Sequence, residues 1–138
     1  MRLSAQVKSS MNILGIDFGS KNLGLAWVGS GVDVVLPYGR IEHVRWKKEL
    51  PTLITKEKIG EVIVGIPYGL TGEETPASER VRTFVIELQA LVTIPIRTFD
   101  ERFTTREAQT MEGDATLDEK AAMLILSAYL KNKKNKLQ

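Results

Sequence analysis

The run EVIVGIP, from Glu61 to Pro67, places six residues in a row without a polar side chain. A strand of that kind shows apolar surface to both sides and both must be covered, which is the situation of a central strand in a parallel sheet. The rest of the chain supplies the cover. Three strand-like runs come first, at 12–18, 23–28 and 33–41, joined by the turn-rich segments GSKN and GSG. They read as an antiparallel meander whose third member, with Pro37, suits a sheet edge. Residues 45–58 predict a helix interrupted by Pro51. Thr75 as N-cap, Pro76 at the first helical position and the stripe Val81, Phe84, Val85, Leu88 and Leu91 predict a second helix. TIPIRTFD, 93–100, reads as a fifth strand. Thr104 with Glu107 forms a capping box for a short helix, and Thr116 with Glu119 another for a final apolar helix reaching about Lys131. The order β-β-β-α-β-α-β-α-α predicts an α/β fold, a mixed sheet with helices on both faces.

At 138 residues the chain fits one soluble domain that buries about two-thirds of its unfolded surface. No apolar run reaches the roughly 18 residues needed to span a bilayer, and RLSAQVKSS lacks the apolar stretch of a signal peptide, so the reading is cytoplasmic, with no membrane partner. Residues 1–10 are expected to be a flexible N-terminal extension, 11–131 the folded domain and 132–138 a basic flexible tail. There is no cysteine and a single histidine, His43, which excludes thiolate and multi-histidine metal sites and leaves carboxylate chemistry. Net charge is +2, yet all six cations outside Met11–Leu130 sit in the termini. The body keeps 13 of the 19 basic residues against all 17 acidic ones, a charge of −4. The C-terminal KNKKNKLQ can follow phosphates through counterion release, although short Lys/Asn tails more often only aid solubility.

Against that background Asp17, inside GIDFGS, is costly. A carboxylate in a strand fit for the core needs hydrogen bonds, an ion pair or a metal. Capping the following turn, at Gly19 and Ser20, is the simpler explanation. Other acids shift the balance. Asp100 and Glu101 stand at the carboxyl end of the fifth strand in DERFTT, where open α/β sheets place their sites. Asp118 opens the last helix on the face of Ala122, Ile125 and Tyr129, which should meet the sheet. Taken singly, each has an ordinary role: Asp118 gains from the helix dipole, and Asp100 or Glu101 can pair with Arg102 or Arg106. Together they can hold divalent ions for phosphoryl transfer.

GIDFGSKNLGLA, VIVGIPYGLTGEETPASERVRTF, IPIRTFDERFTTREA and DEKAAMLILSAYL resemble, in order and spacing, the motifs of the YqgF/RuvX family of Holliday-junction-resolvase-like and pre-16S rRNA nucleases. The resemblance covers roughly 12–131. It implies an RNase H-like fold with a five-stranded sheet in the order 3-2-1-4-5, strand 2 antiparallel. It also implies a catalytic set of Asp17, Asp100 or Glu101, and Asp118, with Asp17, Glu101 and Asp118 as ligands of Mg²⁺ or Mn²⁺. Nucleic acid, as precursor rRNA or branched DNA, is the implied partner, with Lys21, Arg80, Arg102 and Arg106 as candidate contacts. A monomer or weak homodimer is expected. Two departures stand out: Asn22 replaces a usual arginine, and the segment between Glu107 and Asp118 is short and acidic where the family carries a longer basic loop. A nucleic-acid-binding module without hydrolysis is the alternative reading. A third starts from GIDFGS, which also resembles the phosphate loop of actin-like and sugar-kinase ATPases, but those use two such domains and this chain provides one.

Overall fold

The computed structural model describes residues 11–104 and 113–136. The N-terminal ten residues, Arg106 and the capping residue Glu107 lie outside the described residues. Five strands, β1 (Asn12–Phe18), β2 (Asn22–Val28), β3 (Leu36–Glu42), β4 (Ile59–Ile66) and β5 (Ile96–Asp100), form one sheet in the order β3-β2-β1-β4-β5. Strand β2 is antiparallel to β1 and to β3, whereas β4 is parallel to β1 and to β5. The expected mixed sheet is therefore present, with β3 and its Pro37 at the edge.

Alternation along the inner strands divides the core. Leu14, Ile16, Leu23, Leu25, Val62, Val64 and Ile66 face the first two helices, α1 (Trp46–Lys56) and α2 (Pro76–Gln89). The intervening positions, among them Ala26, Val28 and Ile63, meet the last helix, α3 (Leu117–Lys136), through Ala122, Ile125 and Leu126. This two-sided burial is what the apolar run of β4 required.

Several boundaries differ from expectation, each for a local reason. Helix α1 runs unbroken through Pro51, because Trp46, Leu50 and Ile54 anchor one face in the core and packing outweighs the lost backbone bond. Strand β3 begins at Leu36 rather than 33, since β2 ends at Val28, opposite position 35, and gives residues 33 and 34 no edge to pair with. Strand β5 begins at Ile96 rather than 93; Pro95 cannot donate to a ladder, and its carbonyl instead accepts from Val62 N–H at 3.0 Å. Helix α3 continues past Lys131 to Lys136, so residues 132–136, expected as tail, are helical. The capping boxes at Thr75 and Thr116 are formed, the former with Ser78 in the reciprocal position.

Candidate active site

Asp17 lies one residue from the end of β1, at the carboxyl ends of the parallel strands. On one side it pairs in register with Gly24 of β2; on the other it lies one residue beyond the Ile16–Val64 pair, next to Gly65 of β4. Neighbours in register point to the same face, so Asp17 is flanked by two positions that carry no side chain. Those gaps are occupied from above. A Cβ on Gly24 would stand 1.9 Å from the Asp118 carbonyl oxygen, and one on Gly65 would stand 2.4 Å from Ile125 Cδ1 and 3.0 Å from Glu101 Oε2. Gly19, in the turn after β1, lies on the same side, its Cβ position 3.9 Å from Asp118 Oδ1. The first turn of α3 and the Glu101 carboxylate thus approach Asp17 over a floor of glycine.

The electrostatics follow from this crowding. Burial pushes Asp17 up to about 6, and the nearby Asp118 carboxylate adds to the rise. Glu101 is pushed up to about 7, chiefly by burial, then by the charges of Asp17 and Asp100. Both carboxyls resist ionisation unless a cation compensates them. Among the described residues no three acidic or histidine side chains converge closely enough to form a preformed metal cage. The donor set nevertheless fits an oxygen-seeking divalent ion: carboxylates only, two of them destabilised as anions, with the Asp118 charge felt at Asp17 and the Asp17 charge felt at Glu101.

The D-E-R motif divides its labour. The Asp100 carboxylate accepts from Arg102 N–H at 2.9 Å, capping the short helical turn Glu101–Phe103, and forms a two-pronged pair with the Arg102 guanidinium at 2.7 and 2.9 Å. That pairing holds Asp100 below the usual carboxylate range. Asp100 is therefore engaged structurally, and Glu101 is the acid of the pair that reaches Asp17. Arg102 also donates to the Leu70 carbonyl at 3.3 Å and packs over Gly72, bracing the loop after β4 against the end of β5. Lys21 is exposed in the turn between β1 and β2, and Arg80 is exposed on α2, where it pairs with no described carboxylate.

Three contributors escaped the sequence reading. Arg40 of β3, in register with Gly24, reaches Asp118 at 3.6 Å and sets a cation against that acid. Glu119 uses one carboxylate oxygen in the capping box and the other to accept from Gly39 N–H at 2.6 Å, tying the start of α3 to β3. His43 meets the Gly19 carbonyl through Nε2 at 2.5 Å, while its backbone N–H donates to the Lys21 carbonyl, so the sole histidine fixes the turn that carries Lys21. The contacts of Arg40 with Asp118, of Glu119 with Gly39 and of His43 with Gly19 had no local signal, since each joins segments distant in the chain; of the three residues only Glu119 was read locally, as a capping partner. Gly24→Ala is expected to cost at least about 2 kcal/mol, because the new Cβ would overlap the backbone of α3 rather than a yielding side chain. A thermal melt of that variant within about 1 °C of the parent would show that the helix slides to accommodate it.

Residues 11–132 match the RuvX family, described as Holliday junction resolvase. A protein of Maridesulfovibrio salexigens, named "Putative pre-16S rRNA nuclease", is 33% identical over 87% of this chain and 98% of its own length. One of the same name from Pelotomaculum thermopropionicum is 32% identical over 87% of this chain and 86% of its own. Among solved structures, Thermus thermophilus RuvC in complex with a Holliday junction substrate superposes with a TM-score of 0.59, covering 89% of this chain and 96% of that one. At 13% identity that likeness speaks for the fold, which is RNase H-like. With the family motifs spanning nearly its whole length and its acids gathered at the carboxyl ends of β1 and β5, the chain belongs to the RuvX family of nucleases.

Proposed function

We propose that this nuclease hydrolyses phosphodiester bonds in structured nucleic acid, precursor 16S rRNA or a branched DNA junction, with Mg²⁺ or Mn²⁺ held by Asp17, Glu101 and Asp118. The observation that carries the reading is the row Gly24–Asp17–Gly65, where two missing side chains admit the other two acids to a half-buried aspartate. Asp17, Glu101 and Asp118 would hold the ions, which would supply activation of a water and neutralisation of charge at a leaving oxygen. Asp17 would contribute the carboxylate carried on the central strand. Glu101, poised near neutrality, gives up its proton readily in the range where such enzymes operate. Asp118 is positioned by its own helix start and by Arg40, which limits how far its carboxylate can swing. Lys21, with its turn pinned by His43, and Arg80 on α2 are the phosphate contacts that this geometry favours; Arg102 serves as a brace.

Incubation of the pure protein with synthetic four-way junctions and with precursor rRNA fragments, with and without Mn²⁺, tests the reading directly. Metal-dependent cutting at defined positions in one of the two is the expected result, and both substrates remaining uncut would overturn it. Lys21→Ala and Arg80→Ala should each weaken binding alike across sequences and flatten the dependence of log K on log salt by about one unit per lost contact. Unchanged slopes in both variants would return these residues to the solvated surface.

A further inference from the structure

An acidic body has to hold a polyanion somewhere, and five of the seven arginines between Met11 and Leu130 are already committed. Arg40, Arg45, Arg82, Arg97 and Arg102 all pair with carboxylates. Lys131, Lys133 and Lys134 do not: among the described residues none of them has a carboxylate partner, all three are exposed, and no acidic residue follows Glu119 in the chain. Because α3 continues to Lys136, these charges ride on a rigid helix and not on a tail. The helix end is fixed from the side as well. Tyr129 donates to Glu61 at 2.8 Å, Glu61 is neutralised by Arg97, and the Lys133 ammonium lies over the Tyr129 ring at 5.8 Å. A groove runs along each flank, one bounded by Glu61, Arg97, Tyr129 and Lys133, the other by Lys131, Lys134 and Asp33. At about 1.5 Å per residue, the lysines stand roughly 20–24 Å along the axis from Asp118.

We propose that the last two turns of α3 form a second grip on nucleic acid, taking the phosphate backbone of a duplex arm about six or seven base pairs from the scissile bond, given roughly 3.4 Å of axis per pair. This rests on the nuclease reading for the position of the scissile bond. One rigid helix then carries an acid of the active site at its start and an arm-holding ridge at its end, which makes it a ruler for substrate length.

The test uses the full chain and branched duplexes whose arms extend either 4 or 12 base pairs from the cleavage point. Binding is read without turnover in Ca²⁺, against salt from 50 to 200 mM. The triple variant Lys131→Gln, Lys133→Gln, Lys134→Gln should lose about 2.7 units of salt slope on long arms, equivalent to a difference of about 40-fold in how affinity falls across that range, and nothing on short arms. Arginine at the same three positions should retain the parental slope, which a merely structural role for these helix-end cations would not require to depend on arm length. Equal slopes for parent and glutamine variant on long arms overturn the ridge and leave the cleavage reading standing. Loss of slope on both arm lengths also overturns it, since the lysines would then act near the site. A parent that binds long arms better than short ones through these lysines yet cuts neither supports the ridge and sinks the cleavage reading.

Discussion

Asp17→Asn should abolish most metal-dependent cleavage while leaving the protein folded. The amide matches the carboxylate in shape and lacks the charge that holds an ion, so a loss of about 3–4 kcal/mol of transition-state stabilisation, on the order of 10²–10³ in rate, is expected. Stability carries an independent signature with a definite sign. The folded protein holds Asp17 at about 6 against an ordinary 3.8, and Glu101 at about 7 against 4.5. Between the unfolded and folded values the native state binds protons that the unfolded state has released, so apo stability falls as pH rises from about 4 to about 7 and stays low above. Ions that bind the native carboxylates restore it. Millimolar Mn²⁺ should therefore raise the melting temperature by several degrees at pH 8, and the gain should shrink as pH drops toward 5. Asp17→Asn should raise apo stability at pH 8, by on the order of 1–2 kcal/mol, or leave it nearly unchanged, and erase most of the metal response. An Asp17 that only capped its turn would behave in reverse, the variant being less stable and metal without effect. Melts of both proteins across pH 5–8 with and without Mn²⁺ separate these outcomes.

Glu101→Gln should be nearly as damaging to cleavage as the change at Asp17, again on the order of 10²–10³, whereas Asp100→Asn should stay within a few-fold of the parent. The difference lies in where each carboxylate is engaged. Glu101 stands over Gly65 beside Asp17, while Asp100 is held by the Arg102 backbone and guanidinium. Asp100→Asn should instead be a stability variant, losing about 1–2 kcal/mol as the two-pronged pair and the capped turn weaken and the brace on the Leu70 loop loosens. Single-turnover rates and urea unfolding of the two proteins check the division. An inactive Asp100→Asn beside an active Glu101→Gln would exchange the roles assigned to the pair.

Much of this protein is set by short-range pattern. The unalternating run of β4 demands cover on both faces, the Thr75–Pro76 and Thr116–Glu119 signals start two helices where the chain starts them, and Asp17 announces itself as a charge in core surroundings. These are properties of neighbouring residues, and hydrophobic period and capping chemistry act over a few positions. What only the tertiary structure decided is which acids meet. The choice between Glu101 and Asp100 turns on a side-chain pair with Arg102 that one strand's alternation does not reveal. Gly24 and Gly65 read locally as weak points in strands, and become the clearance through which α3 and Glu101 reach Asp17 only when β2, β1 and β4 lie side by side. Arg40, Glu119 and His43 likewise acquire roles through partners on other elements of the chain. The last lysines changed meaning for a similar reason: their composition suits a tail, yet Tyr129, Leu126 and Ile125 bury the same helix one and two turns earlier, and that packing carries the helical backbone on to Lys136.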